Sequence, residues 1–529
     1  MSESPEQRQQ AIWAEGELPP RALGPAESVP APPAAARFQP INRQQMVLRT
    51  VDVEQLLEPD HLARAIWEMT GRLDLAAYTR EVRAVEGAAG RPPIDPRLLI
   101  ALWLYAYSEK VSAAREVERR CGYHPAYQWL TGCEVVNYHT LSDFRVDHQE
   151  ALDGLFAQLL AILSREGLVT LEQVAHDGTK VKAAASGKSM HREATLRAHL
   201  EAAEARVRAM GDPREEAADQ RRRAARQRAG REKVERLKQA LEELQKVQAA
   251  PEGRAEPSER RASATDPEAR IMKQGDGGYA LSHNVQISTD TAHAIIVAAS
   301  VTQQASDQQQ LVPALQEVER QNGRAPGQIL VDEGYTTREN VLAAAAREVD
   351  LIGSTMQPKA QARRRRLQQR GIDPAFYPEN FRYDPQTDSY TCPQGQKLAH
   401  RATRRRRAGV EDQVYQARAA DCRDCPLRAG CQPGKQGRML VRSENVPIVA
   451  AYVAKMQTAA AQAAYRRRGP VAEFSNLWLK AKLGLRQFCV RGLQKVRCEV
   501  LWACLTYNIQ QWFRRRWKVR RQTIAACAS

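Results

Sequence analysis

The sequence predicts a mixed α/β sheet with helices on both faces, preceded by an all-helical segment. Three observations predict it. The apolar pattern changes near residue 168 from helical spacing to short runs rich in Val and Ile. Beyond that point the runs alternate with helical stretches in the order β-β-β-α-β-α-β-α, which favours helices packed on both faces of one sheet. Two stretches of different composition, 190–250 and 357–445, interrupt this order and read as insertions.

Residues 1–45 hold Pro5, Pro19, Pro20, Pro25, Pro30, Pro32, Pro33 and Pro40 among many Ala and few large apolar residues, a composition expected of a disordered leader. From 46 to 168 the spacing is helical, with Leu98, Leu102 and Tyr105 on one face and Pro92, Pro93 and Pro96 marking a start. Within it, 111–145 reads as short helices joined at Gly122 and Gly132, the second ending in Thr140, Ser142, Arg145 and His148. That layout suits a helix-turn-helix whose second helix lies in a DNA major groove, with Arg145 and His148 reaching base edges. An ordinary helical bundle has the same pattern.

Five strands are expected at EQVAHD (172–177), LSHNVQIS (281–288), HAIIVAASV (293–301), GQILVDE (327–333) and DLIGST (350–355), with helices over 307–321, 337–347 and 449–468. The core is thus assembled from 169–189, 251–356 and 446–515. In the first insertion Leu196, Leu200 and Val207 oppose Val234, Leu237, Leu241 and Leu244 across Gly211-Asp212-Pro213, a helical hairpin suited to self-association. The second carries Arg runs at 363–366 and 404–407 and a cluster of cysteines, and 516–529 forms a basic tail.

With 79 Lys and Arg against 62 Asp and Glu, the 529-residue chain has a net charge of +17, which points to a polyanionic partner. The longest apolar run, 98–107, is half the roughly 20 residues a membrane span needs. MSESPEQRQQ is no secretory signal, so a cytoplasmic location is expected. Ten cysteines in this length exclude a disulfide scaffold.

Asp177 ends the first predicted strand in AHDGTKV and Asp332 the fourth in ILVDEGY, which sets two carboxylates at the sheet's edge. Glu473 follows YRRRGPVA (465–472) and starts the helical run EFSNLWLKAKLGLRQF, which faces it toward the same edge. Three carboxylates suit Mg²⁺ or Mn²⁺, which take oxygen ligands and leave positions for water and phosphate. A strand-end Asp alone is usually a turn or cap residue; the combination, next to arginines suited to phosphate, is what carries the reading. Asp266 and Asp307 also lie near the core strands but end no apolar run, and His176 is expected to pack on the opposite face from Asp177.

Cys392, the Cys422-x2-Cys425 pair and Cys431 are four thiols within forty residues and suit a tetrahedral structural Zn²⁺ site, with free thiols or a transient disulfide as the other reading. Cys121, Cys133, Cys489, Cys498, Cys504 and Cys527 are scattered packing residues. Arg residues at 221–231 belong to a solvated coil face. Those at 466–468 and 514–521, the latter among Trp512, Phe513 and Trp517, suit DNA backbone contact and stacking, or equally a helix whose aromatics pack inward.

The segments GRPPIDPRLLIALWLYAY, AHDGTKVKA, ILVDEGYTTREN and YRRR-x4-E-x6-K-x3-GLRQF, followed by RGLQKVRCE, resemble the DDE transposases of bacterial insertion sequences over about residues 50–515. The resemblance implies an RNase H-like, retroviral-integrase-like catalytic core that binds the element's ends in double-stranded DNA, cuts them and joins them to target DNA. It also implies Mg²⁺ or Mn²⁺, a homo-oligomer on DNA and a place at the nucleoid. Carried over, Asp177, Asp332 and Glu473 match the acidic triad, and Tyr465, Arg468 and Lys480 match the phosphate-contacting Tyr, Arg and Lys around the family's Glu. Two departures stand out: Phe474 and Asn476 replace the Pro and Phe common after that Glu, and the gap from Arg468 to Glu473 is one residue longer. The competing reading is a catalytically decayed or non-catalytic sequence-specific DNA-binding protein; a metal-dependent nuclease without strand transfer shares the same residues.

Overall fold

The computed structural model describes residues 46, 50–80, 92–209, 220–249, 256–354, 358–405, 411–432, 434, 436–444 and 447–528. The leader at 1–45 and the Gly211-Asp212-Pro213 break lie outside the described residues.

Helices α1 (Leu62–Thr70), α2 (Pro96–Ser108), α3 (Ala114–Cys121), α4 (Pro125–Thr131), α5 (Tyr138–Asp147) and α6 (Gln149–Arg165) come first. Helix α2 begins at a proline behind Asp95, whose carboxylate accepts the Arg97 N–H, and residues 99–107 are buried without a break. A helix apolar on every side must run through the interior. Gly132, at φ 64°, ends α4 in the left-handed conformation that favours glycine. The predicted pair of short helices is therefore three: the last starts only at Tyr138, behind the cap Asn137.

The main sheet holds β1 (Gln173–Lys182), β2 (Arg270–Lys273), β3 (Tyr279–Asp290), β4 (Ile295–Thr302), β5 (Gln328–Val331) and β6 (Asp350–Gly353). Six strands thus replace the five expected. The missed strand, β2, has only two apolar residues, and its signal was the Asp276-Gly277 turn that joins it to β3. The order is β2-β3-β1-β5-β6, with β4 on the β2 side of β3. Strands β1, β3 and β4 pair antiparallel, while β5 and β6 run parallel to β1.

Helices α9 (Leu311–Asn322) and α10 (Arg338–Ala345) follow β4 and β5, after a helical pair α7 (Glu193–Ala209) and α8 (Gln220–Ala249) that packs on itself through Leu196, Leu237 and Leu244. A separate antiparallel sheet spans 382–444, with strands Arg382–Asp384, Ser389–Thr391, Lys397–Arg405, Glu411–Gln416 and Met439–Glu444. The single helix expected over 449–468 is broken into α11 (Pro447–Lys455) and α12 (Ala459–Arg466), the second capped by Thr458, and α13 (Arg468–Leu477) continues into a π-helical turn at Trp478–Lys482.

Helix α14 (Leu493–Trp512) is buried along most of its length and joins the N-terminal helices to β4 in one core. Trp103, Trp502, Trp512 and Trp517 lie in that core together, so the helical segment does not pack by itself. No helix among the described residues is long and apolar enough to cross a membrane.

Candidate active site

Strand β1 pairs with β5 only as far as Ala175 and Leu330, in the parallel register Gln173↔Gln328, Val174↔Ile329, Ala175↔Leu330. Two residues further along that register, Asp177 comes level with Asp332, on chain paths about 4.8 Å apart in a regular sheet. Because β5 stops at Val331, the edge of β1 from His176 to Val181 has no strand partner on that side among the described residues, and pairing resumes only at Lys182, whose N–H donates to the Arg486 carbonyl at 3.1 Å and whose carbonyl accepts the Phe488 N–H at 2.9 Å. Asp332 caps the turn Glu333–Tyr335, its Oδ1 accepting the Gly334 N–H at 2.8 Å. Asp177 does not end its strand, as expected from sequence, but sits in the middle of it; the polar residues GTKVK continue the pairing with β3.

Asp177 Oδ1 accepts its neighbour's Gly178 N–H at 2.9 Å, and Oδ2 accepts from Asn476 Nδ2 at 3.2 Å. Burial pushes its pKa up to about 6, with the Arg468 guanidinium pulling the other way and the charges of Asp332 and Asp307 adding to the rise. Among the described residues the buried Asn476 Oδ1 has no hydrogen-bond partner, an orphan acceptor beside a carboxylate.

Glu473 lies on α13, three residues before Asn476 and seven before Lys480, a spacing that puts the three on one helix face. It is exposed, and its Oε1 lies back along the helix, 3.6 Å from where a Cβ on Gly469 would stand. Arg468 stacks its guanidinium over Tyr465, 5.9 Å from the ring centre. Lys480 sits in the π-helical turn, and its pKa is lowered by burial and by the cations of Arg486 and Lys180, against the pull of Asp177. The acids are thus bordered by cations. Among the described residues no three His, Cys, Asp or Glu side chains are drawn together closely enough to hold a metal ion. The donors present are all oxygen: Asp177, Asp332 and the orphan Asn476 Oδ1, with Glu473 on the same face as Asn476. That set fits a hard divalent cation.

A fourth acid, Asp307, belongs to this neighbourhood. Lys180 Nζ lies 3.0 and 3.1 Å from its two oxygens, and its Oδ1 also accepts from Asn284 Nδ2 at 2.7 Å and Gln286 Nε2 at 2.9 Å. Gln286 Oε1 in turn accepts from the Tyr335 hydroxyl at 2.6 Å and meets His176 Nε2 at 3.0 Å. His176 is buried on that side of the sheet, as expected. Sequence reading passed over Asp307 because it follows the polar stretch TQQAS rather than an apolar strand.

Arg145 and His148 do not face outward. Arg145 is 7 % exposed, donates to the Ser112 carbonyl, and lies over the Trp103 ring at 4.7 Å. His148 packs against Tyr78 and Phe144 with ring centres 5.3 and 5.1 Å apart. Arg145 lies inside because the final turn of α5 docks onto Trp103 of α2 and Trp502 of α14, and His148, just past that turn, closes over Tyr78 and Phe144. The exposed polar residues of this segment include Arg115 and Arg119 on α3 and His139 and Thr140 in the first turn of α5, with the acids Glu134, Asp143 and Asp147 also exposed. At the C-terminal end Trp512 and Trp517 are buried, with their N–H groups on Glu166 (2.7 Å) and Glu68 (2.6 Å), while Arg514, Arg515 and Arg516 face solvent.

In the separate sheet, Cys392, Cys422, Cys425 and Cys431 all line one cavity of about 30 Å³, walled by Phe376, Leu398 and Leu427. The Gln396 N–H points at Cys392 Sγ (3.3 Å) and the Arg438 N–H at Cys422 Sγ (3.5 Å).

Comparison with known families matches residues 391–513 to a family described as "Transposase DDE domain" and residues 51–147 to one described as "Transposase domain (DUF772)". The first match contains Tyr465, Arg468, Glu473 and Lys480 but begins after Asp177 and Asp332; the two together cover less than half of the chain. No curated protein and no solved structure matched.

Proposed function

We infer that this chain, a transposase of the insertion-sequence DDE type, binds the ends of its mobile element in double-stranded DNA and cuts and joins them by phosphoryl transfer at Asp177, Asp332 and Glu473. The observation that carries the reading is the register that brings Asp177 level with Asp332, together with the Asn476 bond that ties the signature helix to Asp177. The strand order, antiparallel β4-β3-β1 followed by parallel β5-β6, supports an RNase H-like core.

Asp177, Asp332 and Glu473 would hold Mg²⁺ or Mn²⁺, which supplies Lewis-acid activation of a water or a DNA 3′-hydroxyl and offsets charge on the attacked phosphate. The chain's own side chains do the positioning. Arg468 presents a planar fork to a phosphate and Lys480 a point charge. Asn476 fixes the orientation of the half-buried Asp177 carboxylate. Sequence is read by the exposed start of α5, His139 and Thr140, with Arg115 and Arg119 on adjacent phosphates. A pair of ends calls for a homo-oligomer, for which the α7–α8 pair offers a projecting surface.

A supercoiled plasmid carrying the element's ends, incubated with the protein and Mg²⁺, should yield excised element and strand-transfer products. Nicking without joining would leave a nuclease; end binding without cutting would leave a decayed, DNA-binding copy. The charge of +17 further predicts that affinity for random duplex, measured by fluorescence anisotropy, falls linearly on a log–log plot, about 10³-fold between 50 and 200 mM salt for roughly six phosphate contacts. A flat salt dependence would remove the basic surfaces from the interface.

We further propose that the four cysteines bind one structural Zn²⁺. The four thiols line one cavity without three of them being close enough to hold the ion as they stand, so binding would draw them together; the two N–H groups directed at sulfur support it, since thiolates are good acceptors and a closed site organises a segment with a small core. Reduced, freshly purified protein should contain about one Zn²⁺ per chain by elemental analysis, and Cys422→Ser or Cys425→Ser should lose it. Zinc well below that ratio in the parent protein would return the cluster to free thiols.

A further inference from the structure

We propose that Asp307 is a positioning residue of the reaction centre, acting through Lys180, Gln286 and Tyr335 to hold the strand that bears Asp177 against the turn that bears Asp332. The inference rests on reading those two acids as metal-binding. Three observations carry it. First, Asp307 bonds to both sides of the join. It takes Lys180, three residues beyond Asp177 on β1, and through Gln286 it reaches Tyr335, three residues beyond Asp332.

Second, the packing leaves no slack. A Cβ on Gly178 would stand 2.5 Å from Gln286 Nε2, 2.7 Å from Asp307 Oδ1 and 2.9 Å from the Tyr335 hydroxyl, so this cluster presses on the backbone directly after Asp177. Third, among the described residues the β1–β5 ladder ends at Ala175 and Leu330, two residues short of the acids, and beyond it the Lys180–Asp307–Gln286–Tyr335 chain of side chains links the two segments. Asp307 has no amide substitute of equal standing: Asn would set an N–H₂ against the donors of Asn284, Gln286 or Lys180.

The test measures metal binding directly, as the rise in melting temperature that Mn²⁺ gives the full chain without DNA, since a ligand that binds only the folded state stabilises it. Asp307→Asn and Lys180→Met are compared with the parent. Electrostatics alone predicts opposite signs: losing a carboxylate weakens cation binding and losing an ammonium strengthens it. Positioning predicts the same sign, each variant needing about tenfold more Mn²⁺ for half of the shift. Tyr335→Phe, which removes one hydroxyl and little else, guards against misfolding and should move the midpoint two- to three-fold in the same direction. Opposite signs for the first pair, or an unmoved midpoint in all three, overturn the proposal. A parent protein that shows no Mn²⁺-dependent shift overturns the metal-binding reading beneath it instead.

Discussion

Asp177→Asn, Asp332→Asn and Glu473→Gln are each expected to lower cleavage of the element's ends by at least roughly 10³-fold while leaving affinity for those ends within about two-fold. Three carboxylates that serve one centre act as a unit, so the double variants should be no worse than the singles. The substitutions keep side-chain size, and binding draws on the basic surfaces and on α5, far along the chain from β1. Gel-based cleavage and anisotropy on the same preparations check both halves. Any of the three proteins that cuts at near the parent rate takes its residue out of the centre, and the exposed Glu473 is the one at which that outcome would bear hardest on the family resemblance.

The same centre fixes a pH dependence. An acid whose pKa is raised to about 6, chiefly by burial, keeps its proton until the pH passes that value. A cation must therefore displace a proton from Asp177 below pH 6 and need not above it. The Mn²⁺ concentration for half-maximal cleavage should rise about tenfold for each pH unit below 6 and level off above. For the metal-free protein the sign reverses. The unfolded chain ionises Asp177 near its ordinary value of 3.8, the folded chain only near 6, so between these the unfolded state binds fewer protons. Stability from this group is full below 3.8 and declines as the pH rises through 6. Asp177→Asn should remove that slope from the stability profile.

Much of the sheet was legible because its strands are runs of Val and Ile bounded by polar or glycine residues, and β3 to β6 fall where those runs are. The failures follow one pattern. Where pairing is carried by polar residues, as in the GTKVK half of β1 and in β2, a hydrophobicity pattern has no signal, and Asp177 was assigned to a strand end it does not occupy. Asp307 was passed over for a related reason: its role comes from partners 21 to 127 residues away along the chain, and no local spacing encodes them. Lys480, seven residues after Glu473, was legible as a neighbour of the acid from the resemblance, whereas Asn476 read only as a departure from the common pattern and its bond to Asp177 belongs to the fold.

The choice of Arg145 and His148 as base readers fails for a different reason, and Arg145 leads to the second large effect. Arginine near the end of a short helix in a basic protein is a reasonable DNA contact. The fold uses it inside. Its guanidinium is held by the Ser112 carbonyl and the Trp103 face, and it is the cation that lowers the pKa of the buried Glu499 against the upward push of burial; Glu499 meanwhile accepts the Cys489 and Val490 N–H groups. Trp502, from α14, donates to the Arg145 carbonyl at 3.1 Å, so the residue sits where the N-terminal helices meet the C-terminal one. Arg145→Ala removes a cation that favours the charged form of the buried Glu499 and leaves a hole over Trp103. The expected cost is roughly 3 kcal/mol, the scale for leaving buried polar groups without their partner and opening a cavity, read as a fall of about 3 °C in melting temperature. Discrimination between element ends and random DNA, measured on the folded fraction, should be unchanged. His139→Ala combined with Thr140→Ala should do the reverse, with stability kept and discrimination reduced about tenfold, since exposed side chains in the first turn of a helix are the ones a major groove can meet. An Arg145→Ala protein that melts with the parent but no longer tells ends from random DNA would return Arg145 to the interface and displace His139 and Thr140 from it.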